Sequence, residues 1–433
     1  MKKYNKLVWL IALTFNSVNA SAMDFSLFGK DVSLSGFATL GYAQTDQSYG
    51  YQTYLSNKGT FFRDSLFGLQ MDAKLTDTLS ITAQGKLAAS SEHDNRVDAT
   101  LTWAFLSWRP TNDLLFRGGR IRAPLYMNSE NTDIGATFDF ARLPAEVYFT
   151  SPLTNVDGVS VNKIWNTSVG EFTLDTYVGT LNPYFRIEPY SYPPFTSDAY
   201  YMPVRTNAYG GALTFQREEN IFRVGIHDTY SHRLDGGGMQ ETFPFVQIMP
   251  NVGYYQADNS MPGPGIRSNY QLHTIIYTAG IDLSLGNDFR LVSEFVRRDT
   301  YNSVVSPDSQ GGYLALFKSI NDWTPYASVA HLQSMGRTLD LYNGVNKNTV
   351  PAMIPGAAQI NAGQRAAAVN IFAYDQTTWA LGTSYRINPT NKLKAEWAIT
   401  QTGDVSSFID TLPGGDSGNK LVNVFSFSYN VVF

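Results

Sequence analysis

The sequence predicts an all-β chain: a transmembrane antiparallel β-barrel of about 16 strands, with short turns at one rim and long loops at the other. Three observations carry that expectation. The hydrophobic period is two, the connectors alternate between short and long, and strand charges keep to one parity. Composition excludes other classes. The 433 residues include 14% aromatic and 16% charged residues, with 26 Tyr, 27 Phe and no Cys. So little charge beside so many rings is wrong for a disordered segment. Without Cys there is no disulfide scaffold, thiolate zinc site or Cys nucleophile. A net charge of −5 offers no basic surface, so nucleic acid is not an expected partner.

At the N-terminus Lys2, Lys3 and Lys6 precede an apolar run from Leu7 to Phe15, and Ala20-Ser21-Ala22 offers small residues for cleavage. The run is far short of the roughly 20 residues a spanning helix needs. Residues 1–22 are therefore expected to be a cleaved signal peptide, and residues 23–433 a single barrel domain. The removed piece carries three Lys and no acid, which takes the net charge from −5 to −8.

The rest alternates. Leu421, Phe425, Phe427, Tyr429, Val431 and Phe433 share one parity, with Ser426, Ser428 and Asn430 on the other. Phe67, Leu69, Met71, Ala73 and Leu75 repeat the pattern opposite Gln70, Asp72 and Lys74, and Leu79, Ile81, Ala83 and Leu87 repeat it again. Such strands place one face against an apolar phase and the other against a polar one.

Tight turns are expected at Thr76–Thr78, Pro110–Asp113, Ser168–Glu171, Glu218–Asn220, Leu285–Asp288, Ile320–Asp322 and Asn388–Asn391. Between those hairpins lie long stretches at Arg120–Asp157, Asn182–Asn207, Ser231–Asn269, Met335–Gln376 and Thr402–Asn419, and shorter ones near Thr45–Asp64, Ala89–Arg96 and Asp299–Gln310. Short connections at one rim and long ones at the other match the periplasmic turns and extracellular loops of outer-membrane barrels.

A lipid-facing parity must exclude charge, since Lys or Arg at the midplane costs about 2–4 kcal/mol. Asp72, Lys74, Lys86, Arg117, Asp175, Arg223, Asp282, Arg290, Glu294, Lys318, Arg386, Lys394 and Glu396 are assigned to the wet parity, whereas Lys163 and Arg297 break the rule. Tyr42, Trp103, Trp165, Tyr209, Trp379, Trp397, Tyr429 and Phe433 are candidates for interfacial girdles.

These pieces resemble the trimeric Gram-negative outer-membrane porins of the general-diffusion type. The resemblance rests on the signal peptide, a first strand reading LSGFATLGY from Leu34 to Tyr42, and a last strand closing on Phe433. It also rests on the Arg120–Asp157 stretch, which follows the fifth strand, where that family's third loop folds into the pore. The Pro-Glu-Phe-Gly-Gly tip familiar from enteric porins is missing. Glu130-Asn131-Thr132-Asp133-Ile134-Gly135 and Phe138-Asp139-Phe140-Ala141-Arg142 stand in its place. The resemblance implies a homotrimer in the outer membrane, with membrane lipid and lipopolysaccharide around it. It also implies that the barrel-assembly machinery reads the closing strand at Phe433.

About 16 strands leave a water-filled channel, and a channel needs a polar wall and a limiting radius rather than bond-making. Opposed acids and bases at a constriction orient dipolar solutes and reject apolar ones. The acidic side is expected at Glu130, Asp133 and Asp139. The basic side is expected at Arg117, Arg120 and Arg122, with Lys74 and Lys86 on the wall, and Arg142 and Glu146 fit either side. No catalytic residue, cofactor or metal site is expected. His227 and Asp228 are adjacent in a strand and point to opposite faces, so they form no dyad.

The expected function is passive diffusion of small hydrophilic solutes and ions. A substrate-selective channel is the alternative, because the fourth loop carries Tyr184, Phe185, Tyr190, Tyr192, Phe195, Tyr200 and Tyr201, which suit sugar stacking or closure of the mouth. A structural or adhesive barrel is the third reading. The alanines from Ala357 to Ala368 suggest a short helix over the mouth.

Overall fold

Alternation along the chain becomes a closed sheet. A computed structural model describes residues 22–27, 29–53, 55–151, 155–187, 199–410 and 416–433. The expected signal peptide falls almost wholly outside the described residues, as do Tyr190, Tyr192 and Phe195. The barrel strands are β1 (Lys30–Thr45), β2 (Leu66–Lys74), β3 (Leu79–Ala89), β4 (Val97–Thr111), β5 (Leu114–Arg122), β6 (Asn155–Thr167), β7 (Gly170–Leu181) and β8 (Tyr200–Arg217). They continue with β9 (Asn220–Arg233), β10 (Leu272–Gly286), β11 (Phe289–Thr300), β12 (Ser309–Lys318), β13 (Trp323–Ser334), β14 (Tyr374–Asn388), β15 (Asn391–Ser406) and β16 (Leu421–Val432).

Each strand pairs antiparallel with its neighbour in sequence, and β16 pairs with β1 from Phe37↔Val432 to Thr45↔Val424, which closes a barrel of 16 strands. Closure removes every sheet edge, as a strand in lipid requires. A short strand, Met23–Leu27, pairs with the start of β1 in the lane that β16 vacates. Another, Tyr184–Ile187, prolongs the lane of β7 beside β8.

Each expected turn and loop joins two of these strands, although several bounds run into strand ends, and Tyr200 to Asn207 of the expected fourth loop belong to β8. Chemistry suits the turns: at the β10–β11 hairpin Asn287 and Asp288 take φ of 51° and 61°, a left-handed pair that Asn and Asp tolerate. Among the described residues no helix is long and apolar enough to cross a membrane.

The outer parity is apolar and exposed, with Leu213, Val224, Ile226, Leu314, Leu316 and Leu381 among its residues. Near the turn rim, rings pack across strands: Trp108 stacks on Phe116 at 5.3 Å, and Phe172 and Trp323 lie tilted against Phe215 and Tyr385 at 4.7 and 4.6 Å. Nearer the loop rim Tyr230 lies on His273 at 4.5 Å. These are the two girdles expected of such a barrel.

Trp103 is not part of a girdle. The β3–β4 register shifts between Gln84 and Gly85, where Thr102 bonds Gln84 and leaves an extra residue in β4. That bulge turns Trp103 into the lumen, against the core around Phe105.

Lys163 does lie on the outer parity, beside the turn rim, where Asp113 pairs with it. Arg297 lies near the loop rim with Asp299 and Asp308 as partners. Lys318, assigned above to the wet parity, shares the outer parity of Leu314 and Leu316. It ends β12 at the turn rim, 4.5 Å over the Phe289 ring and 3.6 Å from Asp288. All three sit where a long side chain reaches water.

The long loops form a roof. Helices α1 (Ala145–Tyr148), α2 (Gly336–Lys347) and α3 (Ala357–Ala368) lie in the third and seventh loops. Phe243, Val305, Tyr342, Val345, Ala367 and Ile371 pack into one apolar cluster joining loops five, six and seven. Tyr51, Leu55, Phe408 and Ile409 pack loops one and eight together, with Ala145 of loop three beneath them. Arg186 joins loops four, two and eight through Asp94 and Asp410, each at 2.9 Å.

Candidate functional site

Loop three, which begins at Ala123, leaves β5 and crosses the inside of the barrel. Two close approaches allow this: a Cβ on Gly135 would meet Asn430 Oδ1 at 2.0 Å, and one on Gly311 would meet the Glu146 carbonyl at 2.4 Å. The first neighbour is the end of a side chain, whereas the second is backbone, and only Gly admits backbone that near.

On the β3–β5 wall the loop is held by charge. Lys86 Nζ lies 2.6 Å from Asp133 Oδ1, and Arg122 Nη2 lies 2.7 Å from Asp133 Oδ2. Arg117 Nη1 lies 3.2 Å from Glu130 Oε1. The structure therefore brings Glu130 and Asp133 into direct ion pairs with Arg117, Arg122 and Lys86. Burial opposes ionisation of Asp133, but the charges and hydrogen bonds of Lys86 and Arg122 outweigh it and hold the carboxyl down at about 2. Asp133 is buried under its partners, while Glu130 stays exposed.

Asp139 goes to the other wall. It accepts from Lys392 Nζ and Ser384 Oγ, each at 2.8 Å, and faces Arg290 Nη1 at 3.6 Å. Burial raises its carboxyl, and Lys392 with its hydrogen bonds more than reverses that, so the net shift is downward. Arg290, Lys392 and Lys394 thus belong to the site, although they were not among the expected residues. Lys394 donates to the Phe140 carbonyl at 2.8 Å and lies 3.8 Å over the Phe138 ring. Arg290 and Lys394 carried a signal, since their parity already faced them inward.

Four expected residues stand elsewhere. Arg120 has the parity opposite to Arg117, so it faces outward, where Nε and Nη2 bond Asp157 at 2.6 and 2.7 Å. Alternation alone would have separated them. Arg122 shares the parity of Arg120, yet it turns inward because the strand ends at that residue. Lys74 pairs with Asp77 at 3.1 Å at the turn rim and lines the vestibule wall there without bonding loop three. Arg142 reaches back to Asp64 at 3.3 Å. Glu146 is buried and accepts from Gln376 and Thr378 of β14 at 2.7 and 2.5 Å, so it anchors the loop rather than lining a pore.

The β10–β13 wall is apolar where loop three lies on it. Phe140 stands edge-on to Tyr313, Phe317 and Tyr326, at 5.5, 4.9 and 5.3 Å. Around that cluster Glu294 accepts from Tyr148, from Tyr313 at 2.8 Å and from the Met127 amide at 2.8 Å. The lumen is therefore not polar all round, contrary to a simple wet-parity reading, because the loop buries an apolar core of its own inside the barrel. A vestibule of about 1000 Å³ opens at the turn rim. Its lining includes Asp31, Asp72, Lys74, Arg109, Arg117 and Glu130.

His227 faces inward with Nδ1 3.2 Å from Tyr177 Oη, and Asp228 faces outward and bonds His273 Nε2 at 2.7 Å. The two neighbours do point to opposite faces. Phe433 exchanges backbone bonds with Gly36 at 2.7 and 2.9 Å and stacks on Phe67 at 6.4 Å, which seals the β16–β1 seam.

No family model matches the chain, and no curated protein matches it by sequence. Solved structures do match in fold. Pseudomonas putida OprB superposes with a TM-score of 0.52 at 11% identity, covering 93% of this chain and 94% of its own. The outer membrane channel DcaP of Acinetobacter baumannii gives 0.51 at 11% identity, covering 94% and 99%. OmpT, an outer membrane protein of Vibrio cholerae, gives 0.51 at 11% identity, covering 95% and 100%. The barrel is thus of the outer-membrane porin kind in fold.

Proposed function

We propose that this chain is an outer-membrane porin that passes small hydrophilic solutes and ions by passive diffusion. The observation that carries the reading is the third loop folded into a barrel of 16 strands, beside a vestibule of about 1000 Å³ lined by Asp72, Lys74, Arg117 and Glu130. A wet opening lined by charges of both signs admits dipolar solutes and disfavours apolar ones. No bond-making step is assigned, and the protein is read as a channel rather than an enzyme. The reading includes a cleaved signal peptide over residues 1–22, a homotrimer, lipid and lipopolysaccharide around the outer face, and Phe433 as the residue read by the assembly machinery.

Planar-bilayer recording tests the proposal. Large ohmic steps in potassium chloride are expected, and a folded protein that adds no conductance would overturn it. A cross-linked monomer would remove the trimer alone.

A second reading, a substrate-selective channel, is favoured by the roof. Loops one, five, six, seven and eight pack into apolar clusters over the mouth, which leaves less room for unselective flow. Block of the ohmic current by one solute class at low concentration would decide for it.

A further inference from the structure

Arg298 lies on β11 with its side chain inside the barrel. It is 3% exposed, and its Nε, Nη1 and Nη2 atoms all lack a hydrogen-bond partner among the described residues. A guanidinium carries five N–H donors and keeps its charge, so burying it without a partner is among the least favourable states a side chain can adopt.

The acids in this part of the lumen are already engaged. Glu294 serves Tyr148, Tyr313 and the Met127 amide. Asp308 pairs with Arg337 through Oδ2 at 2.5 Å and faces Arg297 through Oδ1 at 3.5 Å, where Oδ1 accepts no hydrogen bond among the described residues. Glu146 serves Gln376 and Thr378. The groups near Arg298 are instead hydroxyls. Ser309 is its direct cross-strand partner on β12, fully buried, with an unpartnered Oγ. The charge of Arg298 is felt at Tyr126 of loop three and at Tyr374 of β14.

We propose that Arg298 anchors a buried site for a small oxyanion, a carboxylate or inorganic phosphate group, between loop three and the β11–β12 wall. The planar fork matches two anion oxygens through parallel N–H bonds, and hydroxyls donate to the remaining lone pairs. Water would satisfy the donors and leave the charge uncompensated, whereas an oxyanion does both. The site does not depend on conduction and stands whether or not the barrel passes current.

Calorimetric titration tests it on the folded full-length barrel in non-ionic detergent with a chloride buffer. Sodium phosphate and sodium acetate are the two probes, and extra sodium chloride is the control. The washed, denatured protein is also assayed for co-purified oxyanion by ion chromatography. Expected is one saturable site per chain for phosphate, acetate or both, or its equivalent already occupied by a co-purified anion. Arg298→Gln should weaken it at least about tenfold, and Ser309→Ala about three- to tenfold. The two probes tell a phosphate site from a carboxylate site. No saturable binding together with no co-purified oxyanion, or wild-type affinity in Arg298→Gln, would overturn the proposal. Should Arg298→Gln fail to fold, Ser309→Ala decides, and unchanged affinity there overturns it.

Discussion

Loop three meets two walls of the same barrel, and they hold it by different means. Along β3–β5, Lys86 and Arg122 grip Asp133, and Arg117 holds the more exposed Glu130. Along β10–β15, Phe140 sits among Tyr313, Phe317 and Tyr326, and the loop backbone is tied to Glu294, Tyr326 and Lys394. The first wall uses charge in a site next to water, and the second adds dispersion and burial to the pairing of Asp139 with Lys392. The charged wall keeps ionised groups beside water, while the packed wall sets where the loop is. A loop held only by ion pairs in a wet lumen would gain little from each pair. A loop held only by packing would offer no field to a solute.

Four experiments break or sharpen that contrast. Phe140→Ala attacks the packed wall and should cost about 3–5 kcal/mol, read as a lower melting temperature of the detergent-folded barrel, with larger or noisier channels if the loop loosens. Asp133→Asn attacks the charged wall. It leaves Lys86 and Arg122 facing each other without their acid, for about 3 kcal/mol, the low end for a broken buried pair because Lys86 is partly wet. It should also move the zero-current potential in a salt gradient toward anions, and an unchanged potential would show that this acid does not act on the permeating ions.

The third experiment is a pH series. Asp133 titrates at about 2 in the folded protein against 3.8 ordinarily. Its pairing therefore stabilises fully above 3.8 and fades as pH falls toward 2. Melting temperature should drop across that window in the wild type and drop less in Asp133→Asn. The smallest effect is Glu130→Gln, which should change stability by under about 1 kcal/mol, because its pair with Arg117 is exposed. Its zero-current potential should still shift measurably in the anion direction.

Much of the fold was legible because its signals are local. A strand between lipid and water must alternate, and Leu421 to Phe433 do so on a period any reader can count. Turns need residues that accept left-handed backbone, as Asn287 and Asp288 do. The site was legible in part. Glu130, Asp133, Arg117, Arg122 and Lys86 do come together, but Arg120 was misplaced although its parity already excluded it. Trp103 was misplaced because a single extra residue at Thr102 flips every later side chain of β4.

By itself the sequence determined the barrel, its strand number and the rim from which each loop springs, since period, turn chemistry and charge parity are properties of neighbouring residues. Only the tertiary structure decided where loop three lies across the lumen, which acids it spends as anchors and which it leaves to the water. Glu146 meets Gln376 and Thr378, and Asp139 meets Lys392, across separations of more than 200 residues. No local pattern encodes such meetings, because they follow from closure of the barrel, which brings distant strands around one shared interior.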